Sequence, residues 1–196
     1  EAKGFLRVVQ ESADNLASLI NDLLDIAKIE AGKMEVESVD IDVSRVVDSA
    51  VTELSIIGRE KGISLHYEAL ANPILIVANG MRLKQVVINL LSNALKYNKE
   101  HGWIKLYFSM STESISLIVE DGGLGMTPEQ LSHAFEKFYR AKNQEKIIGT
   151  GLGLYTTKLL TEAMHGKIVV ESTYGVGTKF TLTFPIKKDT TETTHS

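Results

Sequence analysis

The sequence predicts an α+β fold, a layer of strands and helices with one long helix set before it. Two observations carry the sheet. The runs "WIKLYFSM" and "SISLIVED" (103–110, 114–121) and "KIVVES" and "TKFTLTFPI" (167–172, 178–186) each read as strand pairs across a short turn. Mixing such antiparallel pairs with helices points away from a doubly wound sheet. A third observation sets the first helix apart. In residues 1–31, Leu6, Val9, Ala13, Leu16, Ile20, Leu23 and Ala27 form a stripe in alternating steps of three and four, as in a bundle. Its other faces carry Glu11, Asp14, Asn15, Asn21, Asp25 and Lys28. A stripe like this needs partner helices, and Gly32 ends the segment.

The remaining elements follow in order. Residues 33–42 read as a linker with some extended character. A helix is expected over 43–60, closed near Gly62. Extended segments follow at 63–70 and 74–79, with Pro73 at the bend between them. The next helix, about 80–97, contains "NLLSNALKYN" (89–98), where Leu90, Leu91, Ala94 and Leu95 share an apolar face. Asn89 and Asn93 lie one turn apart on one side of that helix, a costly choice unless both amides have partners. "TPEQLSHAF" (127–135) is a capped helix, with Thr127 at the N-cap, Pro128 at N1 and Glu129 in the first turn. Residues 140–149 are polar and without period, hence a loop. A helix over 151–164 precedes the last strand pair, and the final "KKDTTETTHS" reads as a disordered tail.

Composition narrows the function classes. The chain has 196 residues, 43% of them hydrophobic, enough for one domain with an appendage or two small ones. A net charge of −4 gives no attraction to nucleic acid or to an anionic membrane surface. With no cysteine there is no disulfide, thiolate metal site or cysteine nucleophile, which is compatible with a reducing compartment. No apolar run is long enough to span a bilayer. Glu1 already lies inside a helical pattern, so a piece of a longer protein is expected.

Two glycine clusters, "DGGLG" (121–125) and "GTGLGL" (149–154), carry the chemistry. Glycine serves where backbone takes positive φ or approaches a ligand closely, and glycine turns entering helices cradle phosphates. A dinucleotide fingerprint over 149–171 fails on detail. Its sixth position is Leu154, where close packing requires Gly or Ala, and "NQEKII" is a poor buried strand. No G-x-x-x-x-G-K-[ST] run exists, which excludes a P-loop.

The order of the pieces carries a family resemblance. "NLLSNALKY" resembles the N box of sensor histidine kinases, "DGGLG" the G1 box, "FEKF" (135–138) the F box and "GTGLGL" the G2 box. Residues 1–32 resemble the second helix of the dimerisation and phosphotransfer hairpin. Residues 33–42 would then be the linker, 43–187 the catalytic ATP-binding domain and 188–196 the tail. The resemblance implies a two-layer α/β sandwich, a mixed sheet packed on helices, that binds ATP and Mg²⁺. Asn93 would ligate Mg²⁺, with Asn89 beside the phosphates or the metal's shell. Lys96 would offer charge to phosphate and Tyr97 an aromatic edge to the base. Asp121 would accept the adenine amine, selecting ATP over GTP. Gly123, Gly125 and Met126 would line the base, and Arg140 would reach the terminal phosphate. The backbone of Gly149, Thr150, Gly151, Leu152 and Gly153 would wrap the triphosphate, with 140–149 as the lid.

The implied activity is transfer of the γ-phosphate to a histidine on the hairpin, for relay to a response-regulator receiver domain. The implied partners are that regulator and a second protomer joined through the hairpin helices. No nucleic acid or direct membrane contact is implied, and the compartment would be the cytoplasm, even where missing N-terminal regions anchor the full protein to a membrane. Two departures stand out. None of His66, His101, His133, His165 and His195 lies in an H-E-x-x-x-P setting, so the phosphoacceptor and its acidic neighbour are absent from these residues. Gly122 stands where the family usually has Asn. The related ATPases place a water-activating glutamate at the position of Asn89, and an amide is no general base. The anti-sigma serine kinases of this fold lack the bundle helix. A nucleotide-binding interaction module with degenerate catalysis is the third alternative.

Overall fold

The two faces of a five-stranded sheet have different neighbours, and this difference organises the molecule. The computed structural model describes residues 2–32, 37–140 and 150–187. Strands β2 (Ser64–Tyr67), β4 (Trp103–Met110), β5 (Ser114–Asp121), β7 (Gly177–Pro185) and β6 (Lys167–Thr173) lie side by side in that order. β2 runs parallel to β4 and every other pair is antiparallel, so the sheet is mixed. Strand period two sends Ile104, Leu106, Ile115, Leu117, Val119, Phe180, Leu182 and Phe184 inward, all of them buried. Helices α2 (Val43–Glu60), α3 (Gly80–Lys96) and α5 (Gly153–Ala163) provide the other layer. The expected two-layer α/β sandwich is the observed one.

α3 lies at the centre of that layer. Asn79 caps it, its side-chain oxygen accepting from Arg82 N–H at 3.1 Å. Leu83, Val86, Val87, Leu90, Leu91, Ala94 and Leu95 are buried along it, and each large side chain contributes about 1.5–3 kcal/mol. α2 begins where Asp42 accepts from the backbone of Ser44 at 3.1 Å and its hydroxyl at 2.6 Å. It ends at Gly62, whose φ of +65° suits glycine.

Two expectations change in detail. The linker 33–42 contains a strand, β1 (Val39–Asp42), which pairs antiparallel with β3 (Leu75–Ala78) as a separate two-stranded sheet. Four residues, "VDID", alternate too briefly to show as a strand without that distant partner. The helix expected over 127–135 is α4 (Pro128–Ser132), with a reciprocal Thr127–Gln130 capping box at its start. The chain continues from His133 as turns, because a single turn without a buried face has nothing to extend it. The tail 188–196 lies outside the described residues.

The long helix α1 (Ala2–Glu30) ends at Gly32, φ +63°. Its stripe is open in this chain: Val9, Leu16, Ile20 and Leu23 are 41–60% exposed. What docks on the domain is a different face. Asp25, expected off the apolar stripe on one of the helix's other faces, is 5% exposed, and Ile26 beside it is also buried. Arg82 of α3 donates to Asp25 at 2.6 Å and Gln85 adds a bond at 3.3 Å. Glu30 is bonded by Lys137 and by Tyr155 at 2.9 Å. A carboxylate can be buried when a guanidinium meets it, and that partner is 57 residues away in sequence.

One turn before Asp25, burial and then the Asp25 charge raise the Asp22 pKa from 3.8 to about 6. A raised carboxyl pKa favours the docked state when protonated. Docking of the α1 end therefore strengthens as pH falls from about 6 toward 4 and is lost as pH rises back through that interval. Amide protection factors of residues 22–30, taken relative to the intrinsic exchange rate at each pH, should rise between pH 7 and 5, and that rise should vanish in Asp22→Asn. Equal pH dependence in both proteins would refute the burial of Asp22 by docking.

Candidate functional site

The three turns that the motifs mark all meet at the ends of α3 and α5. At the C-terminal end of α3, the Tyr97 carbonyl accepts from Leu124 N–H at 2.9 Å. A Cβ on Gly123 would lie 2.4 Å from that same oxygen, so the turn after β5 fits only as glycine. Gly125 has φ +63° and sits against the Thr173 carbonyl, where a Cβ would come within 2.0 Å. These glycines are required by the protein's own backbone packing. Met126 closes the turn, its N–H donating to Ser172 Oγ at 2.8 Å.

Asp121, the last residue of β5, is 7% exposed. Its Oδ1 accepts from Gly123 N–H at 2.8 Å. Burial raises its pKa to about 6, in spite of the stabilising N–H groups of Gly123 and Thr178. A buried carboxylate with spare acceptor capacity at a strand end suits a ligand donor.

One turn of α3 carries two of the expected site residues. Asn89 and Asn93 are both half-buried. Asn89 Nδ2 donates to Thr157 Oγ1 at 2.6 Å, and its Oδ1 lies where a Cβ on Gly153 would come within 2.7 Å. The first asparagine is thus locked to the start of α5. The Asn93 amide has no hydrogen-bond partner among the described residues, leaving its oxygen available. Nearby, Lys96 is lowered in pKa by burial first, and then by the charges of Arg140 and Lys61. Its ammonium lies 5.1 Å from the Tyr97 ring centre. A buried cation held down by two neighbouring positive charges marks a place that favours an anion.

The second glycine cluster folds back on the F box. Phe138 N–H donates to the Gly151 carbonyl at 3.0 Å, and a Cβ on Gly151 would meet the Phe138 backbone at 2.7 Å. Phe138 (φ +62°) and Gly151 (φ +73°) are both left-handed, and for a bulky aromatic this costs about 1–2 kcal/mol. Both ends of the 139–150 segment are thereby pinned at one point. Thr150 Oγ1 accepts from Leu152 N–H at 3.2 Å, and Leu152 is fully buried, so its side chain belongs to the core. Gly149 and the expected lid from 141 onward lie outside the described residues.

The residues present fit a magnesium ion held with nucleotide rather than in a protein cage. Among the described residues no group of three His, Cys, Asp or Glu side chains is placed to hold a metal. Mg²⁺ typically takes one or two protein oxygens and completes its shell with phosphate and water, which the open Asn93 oxygen suits. Sequence reasoning missed Thr157, Lys61 and the Tyr97 carbonyl. Thr157 stands in the motif's own helix, and a hydroxyl 68 residues from Asn89 leaves no local signal of the bond it makes.

Comparison with known proteins bears on the family and the fold. A family model described as histidine kinase-, DNA gyrase B- and HSP90-like ATPase matches residues 78–188. Hybrid signal transduction histidine kinase B of Dictyostelium discoideum is 39% identical over 191 residues, 93% of this chain and 10% of that protein. Sensor protein GacS of Pseudomonas syringae pv. syringae is 33% identical over 194 residues, 94% of this chain and 21% of that protein. The crystal structure of full-length ShkA in complex with AMPPNP is similar with a TM-score of 0.81 at 28% identity, covering 95% of this chain and 39% of that one. The chain therefore spans a tenth to a fifth of the length of these two curated relatives. Among the described residues no helix is long and apolar enough to cross a membrane. The family model covers more than half of the chain, the fold matches over nearly all of it, and the chain belongs to the histidine kinase-, DNA gyrase B- and HSP90-like ATPase family as an ATP-binding domain of the histidine kinase kind.

Proposed function

We propose that this chain is the catalytic portion of a sensor histidine kinase. It binds ATP with Mg²⁺ and passes the γ-phosphoryl group to a histidine on the dimerisation hairpin, for relay to an aspartate of a response-regulator receiver domain. The observation that supports this reading best is Asn89 at 2.6 Å from Thr157, an amide in the place of a water-activating carboxylate. Held there, it positions phosphate without generating hydroxide, which favours transfer to a protein side chain over hydrolysis. Asp121 would accept the adenine amine. Lys96 and Arg140 would draw in and orient the phosphates, while Asn89 fixes the helix start that meets them. Mg²⁺, when bound through Asn93, would neutralise phosphate charge. The open stripe of α1 would pair with a second protomer through the hairpin helices, and the cytoplasm would be its compartment.

Labelling with γ-phosphate tests this reading. The 196-residue chain should bind ATP and carry no acid-labile label of its own, since no histidine in it has an H-E-x-x-x-P setting. Addition of a hairpin fragment that carries such a histidine should restore transfer to that fragment. Acid-labile phosphate on the chain alone, or rapid release of inorganic phosphate, would contradict the assignment.

A further inference from the structure

Gly122 departs from the family pattern, and the fold gives this glycine a use. A Cβ built on it would lie 2.4 Å from Nε1, 2.7 Å from Cε2 and 3.0 Å from Cδ1 of Trp103. Side-chain carbons do not approach so closely, so the indole occupies the volume that any other residue at 122 would need. Trp103 is the chain's single tryptophan, half-buried, with its backbone tied on two sides. Its carbonyl accepts from Gly122 N–H at 3.1 Å and from Asn98 Nδ2 at 3.2 Å. Asn98 Nδ2 also bonds the Ala94 carbonyl at 3.0 Å, which joins the end of α3 to the start of β4. The Lys105 ammonium lies 5.1 Å from the indole centre.

Gly122 is the link between two groups of the site. On one side is Asp121, and on the other is Gly123, whose N–H holds the Asp121 carboxylate at 2.8 Å. A displaced residue 122 would therefore turn the carboxylate and loosen the hydrogen bond that aims it. We propose that Trp103 is a positioning residue for Asp121: indole and glycine form a matched pair that fixes the turn 121–123 and so sets the site's preference for adenine. The proposal rests on Asp121 as the adenine contact.

The test is a double-mutant cycle on the full chain, with ATP and GTP affinities measured by calorimetry and melting followed without nucleotide. Gly122→Asn should weaken ATP binding by about fivefold or more and reduce the ATP-to-GTP affinity ratio. Gly122→Ala, a milder intrusion for use if the asparagine variant does not fold, should shift both in the same direction by less. In Gly122→Asn with Trp103→Ala, the new side chain has room. ATP affinity should then return to within about twofold of Trp103→Ala alone, a clear departure from additivity. Unchanged ATP affinity in Gly122→Asn and Gly122→Ala would overturn the pairing, as would strictly additive losses. Equal losses for ATP and GTP that follow the fall in melting temperature would reduce Trp103 to a packing residue. A wild type that binds both nucleotides equally removes the Asp121 contact itself, and the inference with it. A selective wild type with an unaffected Gly122→Asn overturns the inference alone.

Discussion

Asp121→Asn should weaken ATP binding by about 10- to 150-fold, 1.5–3 kcal/mol, while leaving the fold at least as stable at neutral pH. The carboxylate is 7% exposed and already accepts from Gly123 N–H at 2.8 Å. Asparagine keeps that bond through its oxygen but turns an N–H₂ donor toward the adenine amine, which is also a donor. Stability should hold because burial disfavours the ionised carboxylate, raising its pKa to about 6, and the neutral amide relieves that cost. The same shift fixes a pH dependence. The adenine amine prefers the ionised acceptor, so wild-type affinity should be full above pH 6 and fall below it, by up to about tenfold per unit. The variant should show no such fall. Calorimetry from pH 5 to 8 reads both effects, and a well-folded Asp121→Asn with wild-type affinity would show the contact to be wrong.

Asn93→Ala should remove most of the Mg²⁺ dependence of nucleotide binding, a loss on the order of tenfold or more in the presence of metal. Its amide is the one on this face without a hydrogen-bond partner among the described residues, whereas Asn89 is engaged by Thr157 at 2.6 Å. Alanine is also the better helix former, so α3 should tolerate the change. Asn89→Ala should act differently, reducing affinity with and without metal by loosening the start of α5. Titration of each variant with ATP in Mg²⁺ and in chelator separates the two roles. Equal metal dependence in wild type and Asn93→Ala would remove Asn93 from the metal.

The parts legible in the sequence were those written in local periodicity or motif order. The apolar face of Leu90, Leu91, Ala94 and Leu95, the two antiparallel pairs and the Thr127 cap are all encoded within a few residues of themselves. The glycine turns were legible as turns, but the atoms that demand glycine were not. Gly123 is required by the Tyr97 carbonyl and Gly151 by the Phe138 backbone, contacts that close only when the chain has folded. Strand β1 showed only as a linker with some extended character, because its four residues acquire a partner only beside β3. Asp25 was legible as lying off the apolar stripe but not as buried, because its guanidinium partner lies on another helix. Gly122 was legible as a departure, while Trp103, which explains it, stood unremarked at the head of a strand.

If α3, the two glycine turns and Asp121 form one magnesium-dependent adenine nucleotide site, calorimetric titration of the wild-type chain with ATP, in Mg²⁺ and in chelator, will show it. One ATP should bind per chain, with affinity at least about tenfold higher when Mg²⁺ is present. Absence of binding, or an affinity indifferent to the metal, would contradict it.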